Sequence, residues 1–153
     1  PIYSQNRYQS EDLDFVTFAG IKQLESALTP LGFRHRGSPR LSVFDHPDTD
    51  WYLEFPPGPL TFGSRYVDPE VCTTVETGFG PLRIITPTHS IMDRLIAAVA
   101  WNDPQSQEQA VLVATMQADR ISWVELDNWV QSENIAAEKP VQEFYLAVDR
   151  KLP

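Results

Sequence analysis

At 153 residues and 42% apolar, with four tryptophans and eight phenylalanines, the chain has the length and side-chain volume for one domain with a hydrophobic core. Twelve basic against 21 acidic residues leave a net charge of −9, which argues against broad non-specific binding to nucleic acid because the phosphate backbone would be repelled. Neither a long apolar run nor a secretory leader pattern is visible, so a soluble protein with no membrane partner is expected. The lone Cys72 excludes an internal disulfide and a zinc cluster and suits a reducing cytoplasm.

Residues 1–9 have no helical period and read as a tail. Residues 12–18 read as a strand, in which alternate side chains share a face, so Asp12 and Asp14 point one way and Leu13 and Phe15 the other. Two neighbouring carboxylates repel unless their charge is offset, and a divalent cation such as Mg²⁺ is the usual means. The pair therefore reads as a metal site; the plainer alternative is two solvated acids at a strand end. Ala19-Gly20 closes the strand, and Ile21, Leu24, Leu28 and Leu31 recur at helical spacing until Pro30 to Gly32 stops them.

Short strands are expected over 33–36, 41–45 and 51–55, separated by Gly37-Ser38-Pro39 and by the turn-like run His46-Pro47-Asp48-Thr49-Asp50. In the third of these, Tyr52 and Glu54 share one face and Leu53 and Phe55 the other. Arg34-His35-Arg36 with Arg40 is the densest basic patch, and it reads as a contact for substrate phosphates or as a solvated turn. After the break at Pro56-Pro57-Gly58-Pro59, further strands are expected over 60–63, 71–76 and 82–85, with Gly78 to Pro81 as the turn between the last two.

From Thr86 the period changes to helical. Thr86 or Thr88 caps a helix whose buried stripe is Ile91, Leu95, Ala98 and Val99 and which runs to about Trp101. Asn102-Asp103-Pro104 interrupts it and starts a second helix with Ala110, Val111, Val113, Ala114 and Met116 inward. Helices over 123–131 and 140–151 follow. The expected fold is α+β: a small mixed β-sheet with flanking helices in a single domain over 1–153, sheet-rich in 1–85 and helical in 86–153.

Arg7-Tyr8-Gln9-Ser10-Glu11-Asp12-Leu13-Asp14-Phe15 resembles, with one residue more between Arg7 and Ser10, the R-x-[ST]-x-D-h-D-h segment of the nucleotidyltransferase superfamily. That superfamily has the polymerase-beta-like fold, and the likeness is to its AbiEii-like minimal members, which include type IV toxins. Thr86-Pro87-Thr88, Asp93-Arg94-Leu95-Ile96-Ala97-Ala98, Trp101-Asn102-Asp103 and Glu108-Gln109-Ala110 are similar to a helical signature of small proteins in the same group.

The resemblance implies Mg²⁺- or Mn²⁺-dependent transfer of a nucleoside monophosphate from a nucleoside triphosphate to an RNA or protein hydroxyl, in a toxin-like manner. Asp12 and Asp14 take the first two metal-ligand places and Glu54 the third; Asp45, Asp48 and Asp50 compete for that third place but stand in turn-like sequence. Arg94 falls where the family has a lysine, and Asp103 where it has an aspartate, both on the nucleotide side of the site. For Arg94 the alternative is an ion pair with Asp93, and for Asp103 the cap of a helix starting at Pro104. Ser10 joins the nucleotide side or is a strand-end hydroxyl. His35, His46 and His89 have no ligand-like spacing and read as surface or capping residues.

The family's Gly-Gly or Gly-Ser pair would stand before the first aspartate, and no glycine precedes Gly20, so either the sequence is a fragment or shortened reading frame, or the fold is shortened at its N-terminus and lacks that phosphate cradle. A sheet shortened in this way has an open edge, suited to a homodimer or a partner protein. The alternative function is a catalytically degenerate member that binds or regulates.

Overall fold

The computed structural model describes residues 2–37 and 42–153. Pro1, the Ser38-Pro39 part of an expected turn, Arg40 of the basic patch and Leu41 of an expected strand lie outside the described residues. Among the described residues the architecture is α+β, with small sheets and five α-helices. The chain divides into two compact units, Gln9–Leu60 and a second made of Pro1–Tyr8 with Thr61–Pro153. No helix among the described residues is long and apolar enough to cross a membrane.

The Gln9–Leu60 unit is a four-stranded mixed sheet with one helix. Its strands are β1 (Asp12–Asp14), β2 (Arg34–Arg36), β3 (Ser42–Asp45) and β4 (Tyr52–Phe55), in the order β1-β4-β3-β2, and helix α1 (Ile21–Leu28) joins β1 to β2. β1 lies parallel to β4, whereas the β2–β3 and β3–β4 pairs are antiparallel. The first strand is shorter than the expected 12–18: past Asp14 only an isolated bridge between Thr17 and Pro57 continues the pairing among the described residues.

Alternation divides the sheet chemically. On one face, Phe15 stacks on Phe55 at 5.6 Å between ring centres and Phe44 meets Phe55 edge-on at 5.6 Å, with Phe44 fully buried. Helix α1 starts at Gly20, whose N–H donates to the Gln23 side chain at 2.9 Å, and it buries Leu24. A short 3-10 turn at Thr29–Leu31 stops it, so Leu31, expected in the helix's apolar stripe, is 66% exposed. Gly32 then turns the chain at φ +93, a conformation that favours glycine, and a Cβ there would also push on the tip of His46, 2.6 Å away at Nε2.

In the second unit two hairpins, β5 (Thr61–Phe62) with β6 (Arg65–Tyr66) and β7 (Thr73–Thr77) with β8 (Gly80–Ile84), precede four helices. Strand β6 is too short to show alternation and was not expected. The turn between β7 and β8 is Gly78-Phe79 alone, and Pro81, expected in that turn, pairs with Glu76 inside the ladder. The helices are α2 (Pro87–Trp101), α3 (Pro104–Met116), α4 (Trp123–Ser132) and α5 (Lys139–Ala147). The Thr86 hydroxyl accepts from His89 N–H at 3.1 Å to cap α2, and Asn102 ends that helix in the left-handed region at φ 51.

Ile91, Leu95, Ala110, Leu126, Trp129, Val141 and Phe144 are fully buried and form the centre of this unit. Residues 2–8 are part of it rather than a loose tail: Tyr3 is buried, its hydroxyl donates to the Ile85 carbonyl, and Gln117 donates to the Tyr3 carbonyl at 3.1 Å.

His89, expected at the surface or as a cap, is 2% exposed. Its ring lies 5.6 Å from that of Phe62, and Nε2 is 3.3 Å from the Glu125 carboxylate, which also pairs with Arg65 at 2.9 Å. Burial lowers its pKa, against the smaller opposing pull of Glu125. The unfolded chain therefore takes up the proton near pH 6.5 and the folded chain only at lower pH, so stability falls as pH drops through that interval. Thermal melts between pH 7.5 and 5.5 should show this decline, and His89→Gln should flatten it; the same slope in both proteins would remove His89 as its source.

Candidate metal centre

Parallel pairing of β1 with β4 places Asp12 opposite Tyr52, Leu13 opposite Leu53 and Asp14 opposite Glu54. At its ends this register is held by hydrogen bonds from Phe15 N–H to the Glu54 carbonyl at 2.8 Å and from Tyr52 N–H to the Glu11 carbonyl at 2.9 Å. Opposed residues point to the same face, so Asp12, Asp14 and Glu54 project together, away from the face of Leu13 and Phe55. A slip of one residue would send Glu54 to the other side.

Ligand oxygens of Asp12, Asp14 and Glu54 all lie within 4.8 Å of one another, and among the described residues this is the one such group of three. Asp12 and Glu54 are half-buried and Asp14 is exposed, so the group is open to solvent on one side. Carboxylate oxygens alone suit a hard cation that takes oxygen ligands, Mg²⁺ or Mn²⁺, and not a thiolate- or imidazole-seeking metal. The donor set therefore fits the metal that the family resemblance implies. Tyr52, beside the group, has its hydroxyl pKa raised, first by burial and then by the charges of Asp12, Glu54, Glu11 and Asp14; it stays protonated and can donate.

The other expected site residues make bonds of their own. Ser10 donates its hydroxyl to the Asp12 backbone carbonyl at 3.1 Å, a local bond at the start of β1. Asp45 is on β3 and pairs with Arg36 at 2.7 Å, while Asp48 and Asp50 are exposed in the turn after it; none belongs to the three-carboxylate group.

Arg94 and Asp103 are in the helical unit. Arg94 donates to the Asp93 carboxylate and, at 3.2 Å, to Gln109. Asp103 caps α3, accepting from Gln105 N–H at 3.0 Å and from the Ser106 hydroxyl at 2.7 Å, and that Ser106 bond does most to hold its carboxyl below the usual range. His35 pairs with Glu25 at 3.4 Å, and His46 lies 3.2 Å from the Leu31 carbonyl beyond α1.

Arg36 belongs to the basic patch that reads from sequence as a phosphate contact or a solvated turn, whereas Tyr52 is a site residue that the sequence reading does not name. The signal was present in the alternation Tyr52-x-Glu54 and Arg34-x-Arg36, each of which puts both its residues on one strand face. Compared with known protein families, with curated proteins and with solved structures, the chain matches none.

Proposed function

We propose that this chain is a nucleotidyltransferase-like protein that moves a nucleoside monophosphate from a nucleoside triphosphate to an RNA or protein hydroxyl, in a toxin-like manner. The observation that carries this reading is the convergence of Asp12, Asp14 and Glu54 oxygens within 4.8 Å on one face of β1 and β4. When bound there, Mg²⁺ or Mn²⁺ supplies charge neutralisation for the phosphoryl oxygens. The protein's part is positioning. Asp12, Asp14 and Glu54 would hold the cation and with it position the triphosphate, and one of their oxygens would take the acceptor's proton. A bond forms from the acceptor oxygen to the α-phosphorus, the bond to the β-phosphate bridging oxygen breaks, and pyrophosphate leaves.

The second reading, a degenerate member that binds without transferring, is favoured by Arg94 and Asp103, which both hold structural bonds within the helical unit. Incubation with each α-labelled nucleoside triphosphate, Mg²⁺ or Mn²⁺, cellular RNA and cellular protein separates the two. Cation-dependent label in an acceptor supports transfer; cation binding with no label under any combination leaves the binding module.

A further inference from the structure

The two rows of side chains that begin at the carboxylates end on arginine. Across the four strands one row runs Asp14, Glu54, Val43, Arg36 and the next runs Asp12, Tyr52, Asp45, Arg34. Adjacent strands are about 4.8 Å apart, so the Arg36 and Glu54 backbones are separated by roughly 10 Å. The long side chain of Arg36 narrows that gap: its guanidinium carbon lies 5.9 Å from the centre of the Tyr52 ring, two strands away. Arg36, Gly37, Val43, Tyr52 and Glu54 line one open cleft of about 330 Å³.

Charge and hydrogen bonding give the cleft a direction. Arg36 uses its Nε to bind Asp45 at 2.7 Å, and among the described residues its two Nη groups have no hydrogen-bond partner. With Nε turned to Asp45 the Nη edge is left for another anion, and its planar fork matches phosphate oxygens. Glu54, one of the three carboxylates, forms one wall, and the Arg36 guanidinium, which attracts an anion, lines the same cleft with Val43 and Tyr52. A ligand that satisfies both carries a metal-binding phosphate and further anionic phosphates beyond it. The small volume and the net charge of −9 favour a nucleotide over an RNA strand.

We propose that this cleft seats the polyphosphate of the nucleotide, with Arg36 binding the phosphates beyond the cation-held one and Asp45 as the positioning residue for Arg36. The assignment rests on the metal reading above. The probe is inorganic tripolyphosphate, added as its 1:1 Mn²⁺ complex, with Mn²⁺ alone titrated separately by calorimetry.

Arg36→Ala is expected to leave the affinity for Mn²⁺ within about twofold and to weaken the tripolyphosphate complex about tenfold. Arg36→Lys, which keeps the charge without the planar fork, should fall between, and Asp45→Asn should weaken the complex without affecting Mn²⁺. Ligand-free melting curves of these variants separate loss of grip from loss of fold. If Arg36→Ala and Arg36→Lys bind the complex as the wild type does while Mn²⁺ still binds, the polyphosphate assignment is overturned and the metal reading stands. If the wild type binds no Mn²⁺, the metal reading fails and this assignment falls with it.

Discussion

Asp12→Asn combined with Asp14→Asn should abolish divalent-cation binding and reduce any nucleotide transfer by at least about a thousandfold. Each substitution keeps the side chain's size and removes a full negative charge from a group whose ligand atoms lie within 4.8 Å of one another. The stability readout is sharper than the activity readout because it needs no knowledge of the acceptor. A cation present at a hundredfold its dissociation constant stabilises the folded state by about 2.7 kcal/mol. The wild type should therefore melt higher in millimolar Mg²⁺ or Mn²⁺ than in chelator, and the double variant should melt alike in both. A wild type whose melting is indifferent to both cations would reject the site.

Trp129→Ala should be the most damaging single core substitution, at about 3–5 kcal/mol, a large share of the stability of an ordinary domain. Trp129 is fully buried on α4, and its indole N–H donates to the Phe62 carbonyl of β5 at 3.1 Å, so the ring ties the first hairpin to the helices. Trp129→Phe separates the two contributions. It retains much of the ring's packing and leaves the Phe62 carbonyl without that donor, at about 1–3 kcal/mol. Urea unfolding followed by far-ultraviolet circular dichroism measures both. Equal losses in the two variants would place the main contribution in the hydrogen bond and not in the buried volume.

Features governed by near neighbours in the chain were legible in the residues. Thr86 caps α2 and Asp103 caps α3 because a short oxygen-bearing side chain reaches an amide two or three residues on, whatever the remainder of the fold does. The pairing of Arg94 with Asp93 is equally local. Strand β6 is invisible in sequence because two residues carry no period, and residues 1–9 read as a tail because the burial of Tyr3 depends on the distant Ile85 and Gln117. His89 shows the same limit: its neighbours Phe62 and Glu125 are 27 and 36 positions away, too far for spacing to reveal.

The three-carboxylate group lies on that boundary. Sequence alone determined that Asp12 shares a strand face with Asp14 and that Tyr52 shares one with Glu54, because a strand's side chains alternate with a period of two. Which strand lies beside β1, in which direction and at which register was decided by the tertiary structure. The hydrogen bonds from Phe15 to Glu54 and from Tyr52 to Glu11 join segments about forty residues apart, and only their register brings Glu54 onto the face of the two aspartates and Arg36 to the far end of the same row.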